Sequence, residues 1–222
     1  MVWQLIVIAI MAYLLGSINL SIILSKAMGK GDIREQGSGN AGTTNTLRVL
    51  GVGPAIVVLI FDILKAVGAV FLGKLIIKLG QAPNMDLSIY RDLAMALSGL
   101  FVILGHNFPI YFGFRGGKGI APSLGVILAI EWEFGLICLV FWAILVLITR
   151  MVSIGSVMAC ILYPVLVLVK GEAFSNRWLY LLFAVLIALL AIYRHRENIK
   201  RIYAGTENKL WKTKAEKRAE LK

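Results

Sequence analysis

The sequence is short of charge, and it has almost no cysteine. Charged residues make up 16 % of the 222 positions and hydrophobic residues 59 %, whereas a typical soluble domain has about 25 % charged residues. This composition, with a mean hydropathy of +0.83, excludes both a disordered chain and a single water-soluble core. Cys138 and Cys160 each lie inside an apolar run, which excludes a disulfide framework and a cysteine-rich zinc module. No cluster has metal-ligand spacing, so we expect no metal and no cofactor.

Seven apolar runs are candidates for crossing a membrane. The first is long enough to span, since a crossing needs about 20 residues. No basic residue precedes it, so we interpret it as a permanent span rather than a signal peptide. Several other runs are short and need flanking residues to complete a crossing. The predicted spans are residues 3–24, 54–77, 93–104, 120–130, 134–148, 154–169 and 178–193. The predicted fold is therefore an all-α membrane protein, a polytopic bundle of seven transmembrane helices that forms one domain over residues 1–222.

The distribution of Lys and Arg predicts the orientation of this bundle. Seventeen of them lie in the segments 26–52, 105–119 and 149–153 and in the tail 194–222, against four on the other side. Cytoplasmic segments carry the excess of Lys and Arg. We therefore expect the N-terminus outside and the C-terminus in the cytoplasm. The basic tail favours attachment to anionic lipid over nucleic-acid binding.

The first inward loop is dense in Gly, Ser, Thr and Asn between residues 36 and 48. Glycine allows backbone N–H groups to converge on an anion. Hydroxyl and amide groups add neutral donors, and Arg48 offers a two-pronged donor suited to phosphate. The alternative is a flexible loop between two spans, but the density of donors favours a binding site. The candidate ligands are Ser38, Asn40, Asn45 and Arg48.

The second inward segment ends in Gly-Gly-Lys-Gly at residues 116–119, directly before an apolar helix. Free N–H groups and the positive end of a helix dipole favour phosphate at such a place. The spacing does not match a nucleotide P-loop. Because residues 119–130 give only about 18 Å of helix against a core of about 30 Å, we expect the loop to be recessed. The alternative is a reverse turn with a snorkelling lysine. The candidate residues are His106, Gly116, Gly117, Lys118 and Gly119.

The third polar cluster is split between residues 150–156, which include Ser153, and residues 193–201. His195 and Asn198 share a helix face at a spacing of three. A histidine at the mouth of a basic pocket can hydrogen-bond a substrate hydroxyl or move its proton, although a basic juxtamembrane helix would also explain the pattern. Inside the second span, Asp62 and Lys65 are either functional or a pair that neutralises itself.

Together these blocks resemble the bacterial, membrane-integrated glycerol-3-phosphate acyltransferases that use acyl phosphate (the PlsY family). One block alone would be weak evidence, but the blocks occur in order and on one predicted side. They are Gly37-Ser38-Gly39-Asn40, Asn45, Arg48, Gly105-His106, Phe108-Pro109, Gly116-Gly117-Lys118-Gly119, Arg194-His195-Arg196-Glu197-Asn198-Ile199 and Gly205-Thr206-Glu207.

The resemblance implies transfer of a fatty acyl group from acyl phosphate to the sn-1 hydroxyl of glycerol 3-phosphate. The products are lysophosphatidic acid and phosphate, in the first step of phospholipid synthesis, and neither acyl carrier protein nor coenzyme A is required. The resemblance also implies that the protein lies in the bacterial plasma (inner) membrane. The competing hypothesis is a membrane transporter of a phosphorylated metabolite, which would also need cytoplasmic anion sites. A non-catalytic membrane subunit is a weaker alternative.

Within this reaction, the residues receive predicted roles. The N–H groups of Gly116, Gly117 and Gly119 are assigned to the acyl-phosphate phosphate. Lys118, Arg48 and Ser38 hold glycerol 3-phosphate or bridge both anions, and Ser153, His195 and Asn198 complete the hydroxyl end. The predicted catalytic residues are His195, Asn198, Ser38 and Lys118. No covalent nucleophile is expected, because acyl phosphate is already an activated anhydride. The proton leaves through His195 or onto a substrate phosphate oxygen.

Overall fold

The computed structural model describes residues 2–80, 87–170 and 176–211, and every regular element in these ranges is helical. Residues 212–222 of the predicted basic tail, and parts of two predicted outward connections, lie outside the described residues. The α-helices are α1 (Val2–Ser17), α2 (Leu20–Ala27), α3 (Thr43–Leu50), α4 (Val52–Leu79), α5 (Ser88–Asn107), α6 (Ile120–Ile130), α7 (Trp132–Thr149), α8 (Val152–Lys170), α9 (Arg177–Arg194) and α10 (Arg196–Tyr203). Single 3₁₀ turns occupy Ile33–Glu35 and Ile110–Phe112.

Six helical stretches of the described chain are long and apolar enough to cross a membrane. They are Val2–Ala27, Val52–Leu79, Ser88–Phe112, Trp132–Thr149, Val152–Val169 and Arg177–Arg194. Helix α6 is apolar but has only 11 residues, about 17 Å at 1.5 Å per residue. All seven predicted runs therefore lie on helices, six of them long enough to span. A seventh crossing by α6 stays a prediction.

The outer faces of these helices carry large apolar side chains. Ile6, Leu64 and Leu147 are all more than half exposed, an arrangement that suits a lipid environment and not water. Small and aromatic side chains fill the interior of the bundle. The main buried cluster includes Ala66, Ala69, Val102, Val126, Tyr163 and Phe183.

The first predicted span is broken near its inner end. Helix α1 stops at Ser17 and α2 starts at Leu20, because the Asn19 side chain accepts a hydrogen bond from the Ile22 N–H (3.1 Å) and caps the new helix. The apolar pattern predicts one continuous run here, because most residues around the break are apolar or small. The break places backbone carbonyls inside the bundle.

Helix α5 packs very closely against α1. A Cβ atom at Gly16 would overlap the backbone of Val102, and one at Gly105 would overlap the backbone of Tyr13. Small residues permit this approach of two helix backbones, as in other membrane bundles. The packing brings the end of α5 beside the α1–α2 break, where the polar loops of the protein meet.

Candidate active site

The first loop (residues 28–42) is folded around the side chain of Asn45. Its Oδ1 accepts from the Ser38 N–H (2.8 Å), and its Nδ2 donates to the carbonyls of Ile33 (3.1 Å) and Gln36 (3.0 Å). Asn45 is fully buried. It was predicted to contact substrate, but in this structure its amide holds the loop that carries Ser38.

Ser38 itself is exposed at the tip of this loop. Gly37 and Gly39 adopt φ values of +59° and +70°, which side chains of L residues disfavour. The chain therefore turns on both sides of Ser38 and presents its hydroxyl outward. Asn40 follows as a half-buried residue whose carbonyl accepts from the Gly42 N–H (3.1 Å).

Arg34 joins the first loop to the second loop (residues 108–119). Its guanidinium pairs with Asp32 through two hydrogen bonds of 2.9 and 2.7 Å, and its Nη1 donates to the carbonyls of Phe112 (2.6 Å) and Arg115 (3.0 Å). The hydrogen bond from Arg34 lowers the pKa of Asp32 to about 2. The sequence predicts no role for Arg34 beyond its charge, because the carbonyls that it binds are distant in the chain.

The N–H groups of Gly116 and Gly117 are engaged within the chain. They donate to the carbonyls of Asn107 (3.2 Å) and His106 (3.1 Å), so in this structure they are not free for the phosphate to which they were assigned. The unpaired N–H groups belong to the next residues of the chain. The N–H groups of residues 118–121 have no acceptor among the described residues, and they stand at the positive end of the α6 dipole.

Close contacts with His106 require glycine at residues 116 and 117. A Cβ on Gly116 would overlap the His106 carbonyl oxygen, and one on Gly117 would overlap the imidazole Nε2. His106 is 3 % exposed, and its Nδ1 lies 3.4 Å from the Asp62 carboxylate and 3.3 Å from Lys65 Nζ. Predicted as a substrate ligand, His106 instead supports the second loop from beneath.

Arg194, at the end of α9, holds the second loop from the other side. Its Nη2 donates to the carbonyls of Gly116 (3.1 Å) and Gly117 (2.6 Å), and its Nε donates to Gly117 (3.1 Å). The guanidinium also lies 5.0 Å from the centre of the Phe108 ring. These contacts tie the carbonyls of Gly116 and Gly117 to the end of α9.

Glu207 organises the third cluster. Its Oε1 accepts from Ser153 Oγ (2.9 Å) and Asn198 Nδ2 (2.6 Å), and its Oε2 accepts from Arg201 Nε (2.8 Å). Burial raises the pKa of this carboxyl, but the three hydrogen bonds outweigh burial and hold the pKa below its usual range. Glu207 belongs to the block Gly205-Thr206-Glu207 of the resemblance, but the sequence alone predicts no role for it.

Lys118 reaches into the same cluster and donates to Asn198 Oδ1. Burial is the main cause that lowers the pKa of Lys118 to about 8, and the Glu207 carboxylate opposes this shift. The cations that lower it further are Arg48, Arg194 and Arg201. Four cations around one carboxylate leave an excess of positive charge, which suits an anionic ligand. We call these four cations, together with the Glu207 carboxylate, the cation cluster.

His195 lies buried between α9 and α10. Its Nδ1 is 2.8 Å from the Ala191 carbonyl oxygen, which can only accept, so the ring proton is on Nδ1 and a lone pair is on Nε2. Burial and the charge of Lys118 lower the pKa of His195 to about 4. The neutral ring is therefore able to accept a hydrogen bond at Nε2.

The structure gathers several of the predicted site residues in one place. Hydrogen bonds or mutual electrostatic influence link Arg48, Lys118, Ser153, His195 and Asn198. Within the described chain, no hydrogen bond connects Ser38 or Asn40 to Lys118, and the first loop joins the second through Arg34. The described residues hold no group of three or more His, Cys, Asp or Glu suited to a metal ion.

Residues 6–205 match the model of the family described as Glycerol-3-phosphate acyltransferase. This chain belongs to the glycerol-3-phosphate acyltransferase family. A member from Shouchella clausii, itself named glycerol-3-phosphate acyltransferase, is 45 % identical over 97 % of this chain and 100 % of its own length. A member of that name from Halalkalibacterium halodurans is 43 % identical over 91 % of this chain and 94 % of its own. The predicted resemblance is thereby confirmed.

Solved structures of the family share the fold. The crystal structure of PlsY (YgiH), an integral membrane glycerol 3-phosphate acyltransferase, in its glycerol 3-phosphate form superposes with a TM-score of 0.80 and 34 % identity, over 92 % of this chain and 94 % of that one. Its lysophosphatidic acid form gives a TM-score of 0.77 and 33 % identity, over the same shares of both chains. The helical membrane fold predicted from composition thus agrees with that of a family member.

Proposed function

We propose that this protein transfers a fatty acyl group from acyl phosphate to the sn-1 hydroxyl of glycerol 3-phosphate, giving lysophosphatidic acid and inorganic phosphate. The observation that carries the proposal is the cation cluster beside the free N–H groups of residues 118–121. The glycerol 3-phosphate and lysophosphatidic acid forms of PlsY support the acceptor and the product. Family membership favours this reaction over transport of a phosphorylated metabolite.

Two anionic substrates require two sets of donors. The N–H groups of residues 118–121 suit the phosphate of acyl phosphate, because the helix dipole and the Lys118 ammonium add to them. Arg48 and the exposed Ser38 hydroxyl suit the phosphate of glycerol 3-phosphate, with Lys118 between the two anions. Asn40 stays a candidate ligand on the same loop.

Positioning and charge neutralisation supply the catalysis in this proposal. The acceptor hydroxyl oxygen attacks the carbonyl carbon of acyl phosphate, a C–O bond forms, and the bond from that carbon to the phosphate oxygen breaks. His195 Nε2 accepts the hydroxyl hydrogen bond and orients the attack. Its pKa of about 4 makes it a weaker base than a phosphate, whose second pKa is about 6. We therefore assign the proton to the departing phosphate.

A direct transfer agrees with the side chains near the site. In the described ranges, neither His106 nor His195 is hydrogen-bonded to a hydroxyl or thiol that it would activate as a nucleophile. Ser153 donates instead to the ionised Glu207 (2.9 Å). Glu207 fixes the side chains of Ser153 and Asn198 where the hydroxyl of glycerol 3-phosphate, the acyl acceptor, binds in this proposal.

We further propose that the bundle lies in the bacterial plasma membrane with its active site on the cytoplasmic side. All the site residues belong to segments of the predicted inward side, which carries 17 Lys or Arg against 4. Helix α6 would complete seven crossings, with its short length recessing the second loop below the surface. The N-terminus then lies outside and the C-terminus inside.

A comparison of acyl donors tests the proposed reaction. The purified protein in lipid vesicles receives glycerol 3-phosphate with acyl phosphate, acyl-coenzyme A or acyl carrier protein, and lysophosphatidic acid and its acyl position are measured. We expect sn-1 product with acyl phosphate and negligible product with both thioesters, because the inward segments of the described chain are short loops folded around the site. Equal rates with acyl-coenzyme A would contradict the donor. Uptake of glycerol 3-phosphate without product would favour a transporter.

A further inference from the structure

An ion pair lies inside the membrane-spanning part, beneath the two loops. Lys65 Nζ is 2.7 Å from Asp62 Oδ1, and the two residues lie three positions apart on α4. Their side chains are 1 % and 3 % exposed. A buried pair loses so much solvation that it is weak evidence for stability. Ionisable residues within a span are more often functional.

Lys65 connects this pair to the first loop. Its ammonium donates to the carbonyls of Gly16 (3.1 Å) and Ile18 (2.8 Å), which lie at the α1–α2 break and lack a helical donor. The next residue, Asn19, donates from Nδ2 to the carbonyl of Ala41 in the first loop (3.1 Å). Lys65 thus fixes the backbone from which the first loop is held.

The same pair also fixes the base of the second loop. Asp62 Oδ1 and Lys65 Nζ both face His106 Nδ1, at 3.4 and 3.3 Å. The His106 carbonyl accepts from the Gly117 N–H (3.1 Å), and its ring fills the space under Gly117. One buried pair therefore contacts the supports of both loops.

We infer that Asp62 and Lys65 are positioning residues that set the alignment of the first loop against the second, and through them the alignment of acceptor with donor. They act through Asn19 and His106. Arg34 links the loops at their outer ends, whereas this pair links them at their membrane-facing ends. The inference rests on the proposed function, because alignment matters only where two substrates meet between the loops.

The double variant Asp62→Asn/Lys65→Met tests this role. It removes both charges at nearly constant volume, and it takes the Lys65 donor away from the Gly16 and Ile18 carbonyls. Each loop keeps its own phosphate donors, so we expect the KM of each substrate to change less than about threefold. We expect kcat to fall by about tenfold to a hundredfold, because a small misplacement of reacting groups has effects of this size. We expect a lower thermal midpoint, because two buried carbonyls lose their donor, so the variant is assayed at a temperature at which it is folded.

Lys74→Met is the matched control. Lys74 is a second lysine on α4, and its Nζ lies 3.5 Å from the Ala129 carbonyl, away from both loops. If the inference is right, this variant keeps the kcat of the parent protein. A loss of kcat as large as that of the double variant would overturn the inference, because any intramembrane lysine would then have the same effect.

The kcat of the folded double variant decides the matter. An unchanged kcat, or a fall in which KM rises equally, overturns the positioning role. If the double variant does not accumulate, the Asn19→Ser variant is measured in its place. Serine keeps the α2 cap and loses the side-chain donor to the Ala41 carbonyl. A kcat of this variant equal to that of the parent protein then overturns the positioning role. A parent protein without turnover contradicts the proposed function itself, which separates the two failures.

Discussion

At the scale of single residues, the lysine of the cation cluster sets how the site responds to pH. Burial lowers the pKa of Lys118 to about 8, so the ammonium is present at pH 7 and is lost as the pH rises through 8. A bound phosphate favours the charged form and raises this pKa. Anion binding therefore becomes weaker above pH 8.

We expect kcat/KM for glycerol 3-phosphate to be level up to about pH 8 and then to fall. The limiting slope is about tenfold per pH unit, as expected when one required proton is lost. The profile is measured between pH 7 and 9.5 by initial rates. Lys118→Arg keeps its charge throughout this range, so its own profile should stay level whatever its absolute rate. Parallel profiles for both proteins would show that another group causes the fall.

Glu207 provides a second test at this scale. Glu207→Gln removes the charged acceptor of Ser153, Asn198 and Arg201. Charge-assisted hydrogen bonds contribute about 1.5–3 kcal/mol, so kcat/KM should fall by about tenfold to a hundredfold. Glu197→Gln is the control, since Glu197 is an exposed acid on α10 paired only with Arg196 and Lys200 among the described residues. Equal activities of the two variants would show that Glu207 has no role in the site.

At the scale of helices and loops, the close fit of the second loop on His106 explains its glycines. Gly117→Ala places a methyl group against the imidazole, so the loop must shift and kcat should fall by at least about tenfold. Gly68→Ala is the control, because a Cβ there meets open space and alanine favours a helix by about 1 kcal/mol. Both are assayed with thermal midpoints. Full activity of Gly117→Ala would refute the packing of this loop.

The helices were largely predictable, whereas the hydrogen bonds of the loops were not. Apolar length alone located every long helix, and the donor-rich segments around Ser38, Lys118 and His195 were identified before their geometry was known. Sequence could not reveal that Asn45 and His106 turn inward, because their partners are backbone groups brought near by folding. For the same reason, the sequence could not reveal the roles of Arg34 and Arg194, which bind carbonyls far away in the chain.

At the scale of the whole molecule, orientation in the membrane is predicted from charge and can be measured. Cys138 and Cys160 are replaced by alanine, and single cysteines are introduced at two exposed acids, Glu133 in the first turn of α7 and Glu197 on α10. An impermeant thiol reagent added to intact cells should label position 133 and leave 197 unlabelled until the cells are opened. The reverse pattern would place the active site outside.

In the proposed reaction, one site joins acyl phosphate directly to glycerol 3-phosphate. Rapid-quench measurement of phosphate release, with enzyme in excess over radiolabelled acyl phosphate, tests it most directly. We predict no burst of phosphate in the absence of glycerol 3-phosphate, and equal amounts of phosphate and lysophosphatidic acid in its presence. Lys118→Ala should slow both products together. A stoichiometric burst of phosphate without acceptor, with the acyl label retained on the protein, would reveal a covalent intermediate and contradict the account.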